Sequence, residues 1–283
     1  MKSLYQYLGA VFVCIFFLVC CNPVNNQPDE QTQDDSELPQ TRSENGALYG
    51  LFSVSSDLQV RFSCGNLQYN ADHGYWRFAN HQYSIIVNGN TNISSTYDGW
   101  IDLFGWGTGN EPTKSSIEYQ DYTVFTDWGI NQISSDSNHV YKWRTLSADE
   151  WEYLIYERKN ADLLHGLASV NNTTGYIILP DNWSIDNDTV FSSNANSWSV
   201  NKYSANEWQL LEDDGAVFLP CGGYRSGNKV YNIAKEGSYW SSTPSDVFDN
   251  SAFIFQFDDN GATIYNGAYS YRGRSVRMIT ESK

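Results

Sequence analysis

The chain has 283 residues, with 33 acidic against 17 basic side chains and a formal net charge of −16. That excess argues against nucleic acid and anionic membrane surfaces as partners, since either would bring further negative charge to a chain with too little positive charge to meet it. Its 10 Trp, 20 Tyr and 14 Phe supply ample apolar mass for a core, and residues 46–283 have the length of one large domain.

Residues 1–21 read as an export signal. Lys2 gives the short positive region, and an apolar run follows from Leu8 through Val19 to Cys20 and Cys21, too short to cross a bilayer as a helix. Leu18-Val19-Cys20-Cys21 resembles a bacterial lipobox in which Cys21 carries the lipid, although Cys20 stands where a smaller residue is usual. Residues 22–45 are polar and acidic, with almost nothing to bury, and are expected to form a disordered tether.

Beyond the signal the domain holds two cysteines, Cys64 and Cys221. In an oxidising compartment such a pair suggests one disulfide, with two separately buried thiols as the alternative. Short alternating runs at 58–62, 83–87, 176–179, 216–219, 252–257 and 275–279 are strand signals, set off by Gly, Asn, Asp and Ser. Two places read as helix starts. Ser147-Ala148-Asp149-Glu150 and Ser204-Ala205-Asn206-Glu207 are both capping boxes, in which the serine and the glutamate three residues on satisfy each other's backbone N–H groups. Trp151, Leu154, Ile155 and Arg158 follow the first at helical spacing, as Trp208 and Leu211 follow the second, with Gly215 placed to end that helix. Asp258-Asp259-Asn260-Gly261 reads as a hairpin turn. The expected class is therefore α+β, with two short helices among small antiparallel sheets and long loops.

Trp143-Arg144-Thr145-Leu146-Ser147, Gly237-Ser238-Tyr239-Trp240-Ser241-Ser242-Thr243 and Ser275-Val276-Arg277-Met278-Ile279 together resemble the C-type-lectin-like domains of the formylglycine-generating-enzyme and Fibrobacter major paralogous type, as in surface lipoproteins of Bacteroidetes. Gly99-Trp100-Ile101-Asp102-Leu103-Phe104 and Phe218-Leu219-Pro220-Cys221-Gly222-Gly223 extend the resemblance through most of the domain. It implies a C-type-lectin-like fold with a small twisted sheet pairing the chain ends, both helix tryptophans in the core, and residence as a surface-exposed outer membrane lipoprotein. The enzymes of this fold hold copper through a cysteine pair near their C-terminal end, and no cysteine follows Cys221 here. The resemblance therefore implies a protein without that activity.

Other chemistry has weak signals. His73, His81, His139 and His165 are scattered without metal-ligand spacing and read as loop or surface residues. No nucleophile elbow or phosphate-cradling glycine loop is found. Asn110-Glu111-Pro112 holds the letters of a sugar-binding lectin loop in the wrong order. No cofactor is required, and calcium is a candidate only through Asp181, Asp186 and Asp188, hard oxygen ligands close in sequence.

The segment 244–274 is the richest in recognition residues. Asp246, Asp249, Asn250, Tyr265, Asn266, Tyr269, Tyr271 and Arg272 lie in or beside its expected loops, where tyrosine offers rigid amphipathic area and small polar residues adapt. The sequence thus points to a non-catalytic binding module that recognises a glycan or a surface protein through these loops. An assembly subunit of a surface complex is the alternative, ahead of a divergent enzyme.

Overall fold

The structure, a computed structural model, describes residues 43–136, 139–184 and 191–282. The signal with Cys21, most of the tether, and the calcium candidates Asp186 and Asp188 lie outside the described residues. Among the described residues strands make up 36% and helices 14%, so the expected α+β class with its lectin-like balance of elements is corrected to a mostly β fold. The reason is local. The segments between the two capping boxes and the C-terminus pair into ladders, and the helices stay at two or three turns.

Both capping boxes form. Ser147 and Ser204 each accept from the backbone of Glu150 and Glu207, whose side chains bond back to the serine N–H. The first helix, Ala148–Glu152, continues as a π-helical stretch, Tyr153–Glu157, and buries Trp151, Leu154, Ile155 and Arg158. The second, Ala205–Asp213, buries Trp208 and Leu211. It ends in a Schellman arrangement in which Gly215 has φ +95°, its N–H donates to Glu212, and the Ala216 N–H donates to Leu211.

A four-stranded sheet runs in the order Asn201–Tyr203, His165–Val170, Thr173–Ile178 and Val217–Pro220. One face sends Leu167, Tyr176, Ile178 and Leu219 into a core with Phe62, Trp151, Phe255 and Phe257. The other face packs Ala168, Ile177 and Phe218 against Trp208 and Leu211 of the second helix. A second four-stranded sheet joins distant parts of the chain, because Met278–Glu281 lies between Gln59–Phe62 and Arg144–Thr145. A third core, with Trp76, Phe104, Trp128, Trp240 and Ile254, underlies the C-terminal sheet of Gly237–Pro244, Ser251–Asp258 and Gly261–Tyr269.

Two further expectations are corrected. Residues 83–87 form no strand, because side chains take the backbone groups a neighbouring strand would have met: the Ile86 N–H donates to Asp102 (3.1 Å), and its carbonyl accepts from Asn90 (2.6 Å). Cys64 and Cys221 are thiols, not a disulfide. Cys221 is fully buried, its N–H bonded to Thr174 and its carbonyl to Ala234, and burial pushes its thiol up to about 12. The thiolate is the reactive species, so this side chain is held in its inert form.

Candidate functional site

The expected recognition residues gather around the end of the C-terminal sheet that carries Tyr269. Residues 245–250 connect its first two strands, and Ser245 shapes them by accepting from the N–H groups of Val247 (3.2 Å) and Phe248 (2.8 Å). Asn250 takes the left-handed conformation (φ +56°), and its carbonyl accepts from the Ser270 N–H at 3.0 Å. Asn266 donates to Asp246 at 2.8 Å, tying this loop to the edge strand Gly261–Tyr269. The register shifts opposite Ala252 and Phe253, so Gly267 is the extra residue of a bulge. Gly267 has φ +115°, and a Cβ there would lie 2.8 Å from the Phe248 ring, so glycine is what lets Phe248 fold onto the strand.

A turn closed by the Arg272 N–H on the Tyr269 carbonyl (3.0 Å) brings the rings of Tyr269 and Tyr271 into a stack, with centroids 5.4 Å apart and planes 17° apart. The stack is anchored from beneath. The Arg272 guanidinium lies 4.8 Å from the Tyr224 ring centre and 5.2 Å from that of Tyr269. Arg274 lies 5.4 Å from Tyr224 on one side and 5.4 Å from Trp240 on the other. An alternating column of rings and guanidiniums thus rises from the buried Trp240 to Tyr269, which is half exposed (49%). The sequence spacing explains it. The bridge between Arg225 and Gly273 sets Tyr224 beside Gly273, so that the guanidiniums of both its neighbours, Arg272 and Arg274, reach the Tyr224 ring. Tyr231 stacks on Tyr224 with centroids 5.4 Å apart.

Arg274 is paired with Glu236 at 3.5 Å and bonds Ser238, whereas no carboxylate among the described residues pairs with Arg272. The Asn266 Oδ1 and the Ser270 hydroxyl are buried without a hydrogen-bond partner. Of the expected residues, Asp246, Asn250, Asn266, Tyr269, Tyr271 and Arg272 are therefore tied into one construction. Asp249 is exposed in the loop, and Tyr265 is exposed on the strand before the bulge, outside the stack. The sequence reading missed Tyr224 and Tyr231, which meet the site only through the bridge at Gly273, and the exposed Val247 and Phe248.

Beside this face, residues 106–126 shape two shallow hollows. One, of about 360 Å³, is lined by Tyr69, Ser95 and residues 110–114; the other, of about 210 Å³, is lined by Trp106, Thr108, Asp121 and Tyr122 and shares Asn110, Glu111 and Lys114 with the first. Asn110-Glu111-Pro112, which holds the letters of a lectin loop in the wrong order, thus lines the larger hollow.

The calcium candidate Asp181 is otherwise engaged. Its Oδ1 meets Arg158 at 2.9 Å, while its Oδ2 accepts from the Ser53 N–H and hydroxyl and from Gln59. A guanidinium already occupies the place a cation would take, so Asp181 is corrected from a metal ligand to a structural carboxylate. Asp72, His73 and Asp98 set their ligand atoms within 4.8 Å of one another on the surface, and the His73 Nδ1 is already 3.1 Å from Asn70 Oδ1. His165 is corrected from a surface residue to a buried one: it bonds the Tyr176 hydroxyl at 2.6 Å, and burial, reinforced by nearby Arg158, lowers its pKa to about 4.

Among known proteins, residues 190–279 match the model of a domain of unknown function, DUF8237. The match takes in the second helix and the whole Tyr224–Arg274 column. No curated protein matches the chain, and no solved structure does.

Proposed function

We propose that this chain is a non-catalytic binding module that recognises a glycan through the Tyr269–Tyr271–Arg272 face. The observation that carries this reading is the anchored stack. Tyr269 and Tyr271 are held nearly parallel, and Tyr269 packs on the Arg272 guanidinium, which no carboxylate among the described residues neutralises; Asn266, on the strand that ends at Tyr269, donates to Asp246. Ring faces suit the apolar faces of sugar rings, and amides, carboxylates and guanidinium donors suit their hydroxyls. Because the column fixes the rings in advance, little conformational entropy remains to be lost on binding. A non-catalytic role is supported by where the perturbed groups lie. Asp102, His165 and Tyr176 are enclosed in packing, and the perturbed group in the column itself, Arg274, is a buried guanidinium paired with Glu236, which offers neither a general acid nor a base.

The chain is proposed to be displayed as an outer membrane lipoprotein, anchored through acylated Cys21. Mass spectrometry of the mature N-terminus tests that part, and an unmodified or differently cleaved terminus would refute it. For the binding role, Tyr269→Ala and Tyr271→Ala should each weaken glycan capture about tenfold while unfolding as the wild type does. Glycan binding that survives loss of both rings would place the site elsewhere. A protein captured with no glycan bound would replace this reading with the assembly alternative.

A further inference from the structure

We propose that the two hollows walled by Asn110, Glu111 and Lys114 are saccharide subsites continuous with the tyrosine face, so that the ligand is a neutral oligosaccharide of several units. This rests on the glycan reading above and extends it to a part of the chain that the reading does not use.

The wall is built rather than incidental. The Lys114 ammonium pairs with Glu111 at 2.7 Å and stands 5.2 Å from the Tyr122 ring centre. The Lys114 N–H donates to the Glu111 carbonyl (3.0 Å), and the Glu111 N–H to that of Thr108 (3.0 Å). The Lys114 carbonyl accepts from Arg225 at 3.3 Å, and Arg225 is fully buried, which ties the turn to the interior. Two exposed polar side chains, Asn110 and Glu111, are thereby held above a fixed backbone.

Continuity with the tyrosine face comes from Trp106. Trp106 is among the residues that line the smaller hollow, and its backbone N–H donates at 2.8 Å to the carbonyl of Ser270, the residue between the two stacked tyrosines. The larger hollow alone, about 360 Å³, reaches the size at which small-molecule sites begin, on the order of 300 Å³. A ligand lying across Tyr269 and Tyr271 would therefore extend past Trp106 into space that can hold further units.

The chemistry of the lining selects the class. Amide, carboxylate, ammonium and hydroxyl groups present donors and acceptors side by side, as sugar hydroxyls require. The ammonium of Lys114 is matched by Glu111, so the hollows offer no uncompensated positive charge, and a chain of net charge −16 repels acidic polymers. The hollows therefore suit neutral units, whereas the tyrosine face, with Arg272 unpaired by any carboxylate among the described residues, does not add to that selection.

The test is an array of neutral and acidic oligosaccharides graded from two to six units, probed with the wild-type chain and with Asn110→Ala, Glu111→Gln and Tyr269→Ala. Both wall positions are exposed, and matched unfolding temperatures would show that the variants fold. The wild type should retain neutral oligosaccharides and bind longer ones more tightly. Asn110→Ala and Glu111→Gln should each bind the long members about three- to tenfold more weakly while leaving the shortest bound member unchanged. Tyr269→Ala should weaken every length. Wall variants that bind all lengths as the wild type does, or retention confined to acidic members, would overturn the subsites and leave the tyrosine face standing. A wild type that retains nothing on the array would overturn the glycan reading itself.

Discussion

Asp102 and His165 are both enclosed, and their burial pulls the molecule's pH response in opposite directions. Desolvation raises the Asp102 pKa from 3.8 to about 7, although Asn90 and the Ile86 N–H bond its carboxylate. The folded state therefore keeps a proton that the unfolded chain has lost. The resulting stability is complete below pH 3.8 and disappears as pH rises through 7, a change on the order of 4 kcal/mol. For His165, lowered from 6.5 to about 4, the unfolded chain takes the proton first, so its contribution is present above pH 6.5 and is lost as pH falls through 4. Between these values the two slopes oppose each other. Asp102→Asn removes one of them, so the stability of the variant relative to wild type, from urea melts at several pH values, should climb between pH 4 and 7 by about 1.4 kcal/mol per unit and then level off. A flat difference would mean that Asp102 is charged throughout. Neither residue was legible as buried in the sequence, because a lone Asp after Trp100-Ile101 or a lone His before a glycine has no pattern that distinguishes core from loop.

The helix starts were the most legible features, because their signals are local and both capping boxes form, although the first helix turns π-helical after Glu152 and leaves Arg158 in an extended conformation. Ser147→Ala and Ser204→Ala should each lower stability by about 1 kcal/mol in thermal or urea unfolding. The glutamates should differ. Glu150 also receives both arms of Arg144, at 2.8 and 2.6 Å, so Glu150→Gln breaks a half-buried fork as well as a cap, whereas Glu207→Gln loses only an exposed cap. Equal losses at the two sites would show that the fork contributes nothing. Gly215→Ala should cost more than either serine variant, because φ is +95° and the added Cβ would lie 2.7 Å from the Gly50 backbone, which has no side-chain freedom to yield. The sheets were less legible. His165–Val170 is buried on both faces, so the alternation that marks a half-exposed strand is missing, and its pairing with Thr173–Ile178 was seen only in part. The hairpin at 258–261 was readable, although the two turn residues are Asp259 and Asn260, with Gly261 already opening the strand.

At the scale of the whole molecule, what the sequence could not show is whatever depends on closure. The tyrosine face was half visible, since residues 265–272 are contiguous; its anchor on Tyr224 and its neighbour at Asn110 to Lys114 come from segments tens to more than a hundred residues away. The same closure governs stability. Met278–Glu281 is a central strand with Gln59–Phe62 on one side and Arg144–Thr145 on the other, and Met278 and Ile279 are fully buried in different cores. Removing this strand uncovers two ladders at once and opens both cores, so a chain ending at Arg277 should lose its cooperative thermal transition and its near-UV circular dichroism. Ile279→Ala, which keeps the ladders and removes only side-chain volume, should instead remain cooperative and lose about 2–5 kcal/mol. If the shortened chain melted like the full one, the pairing of residues 59–62 with 279–281 would not be what holds the domain closed. Glycan binding measured on the two proteins would then separate fold from site, because the tyrosine face is intact in both sequences and should survive only in the one that still closes.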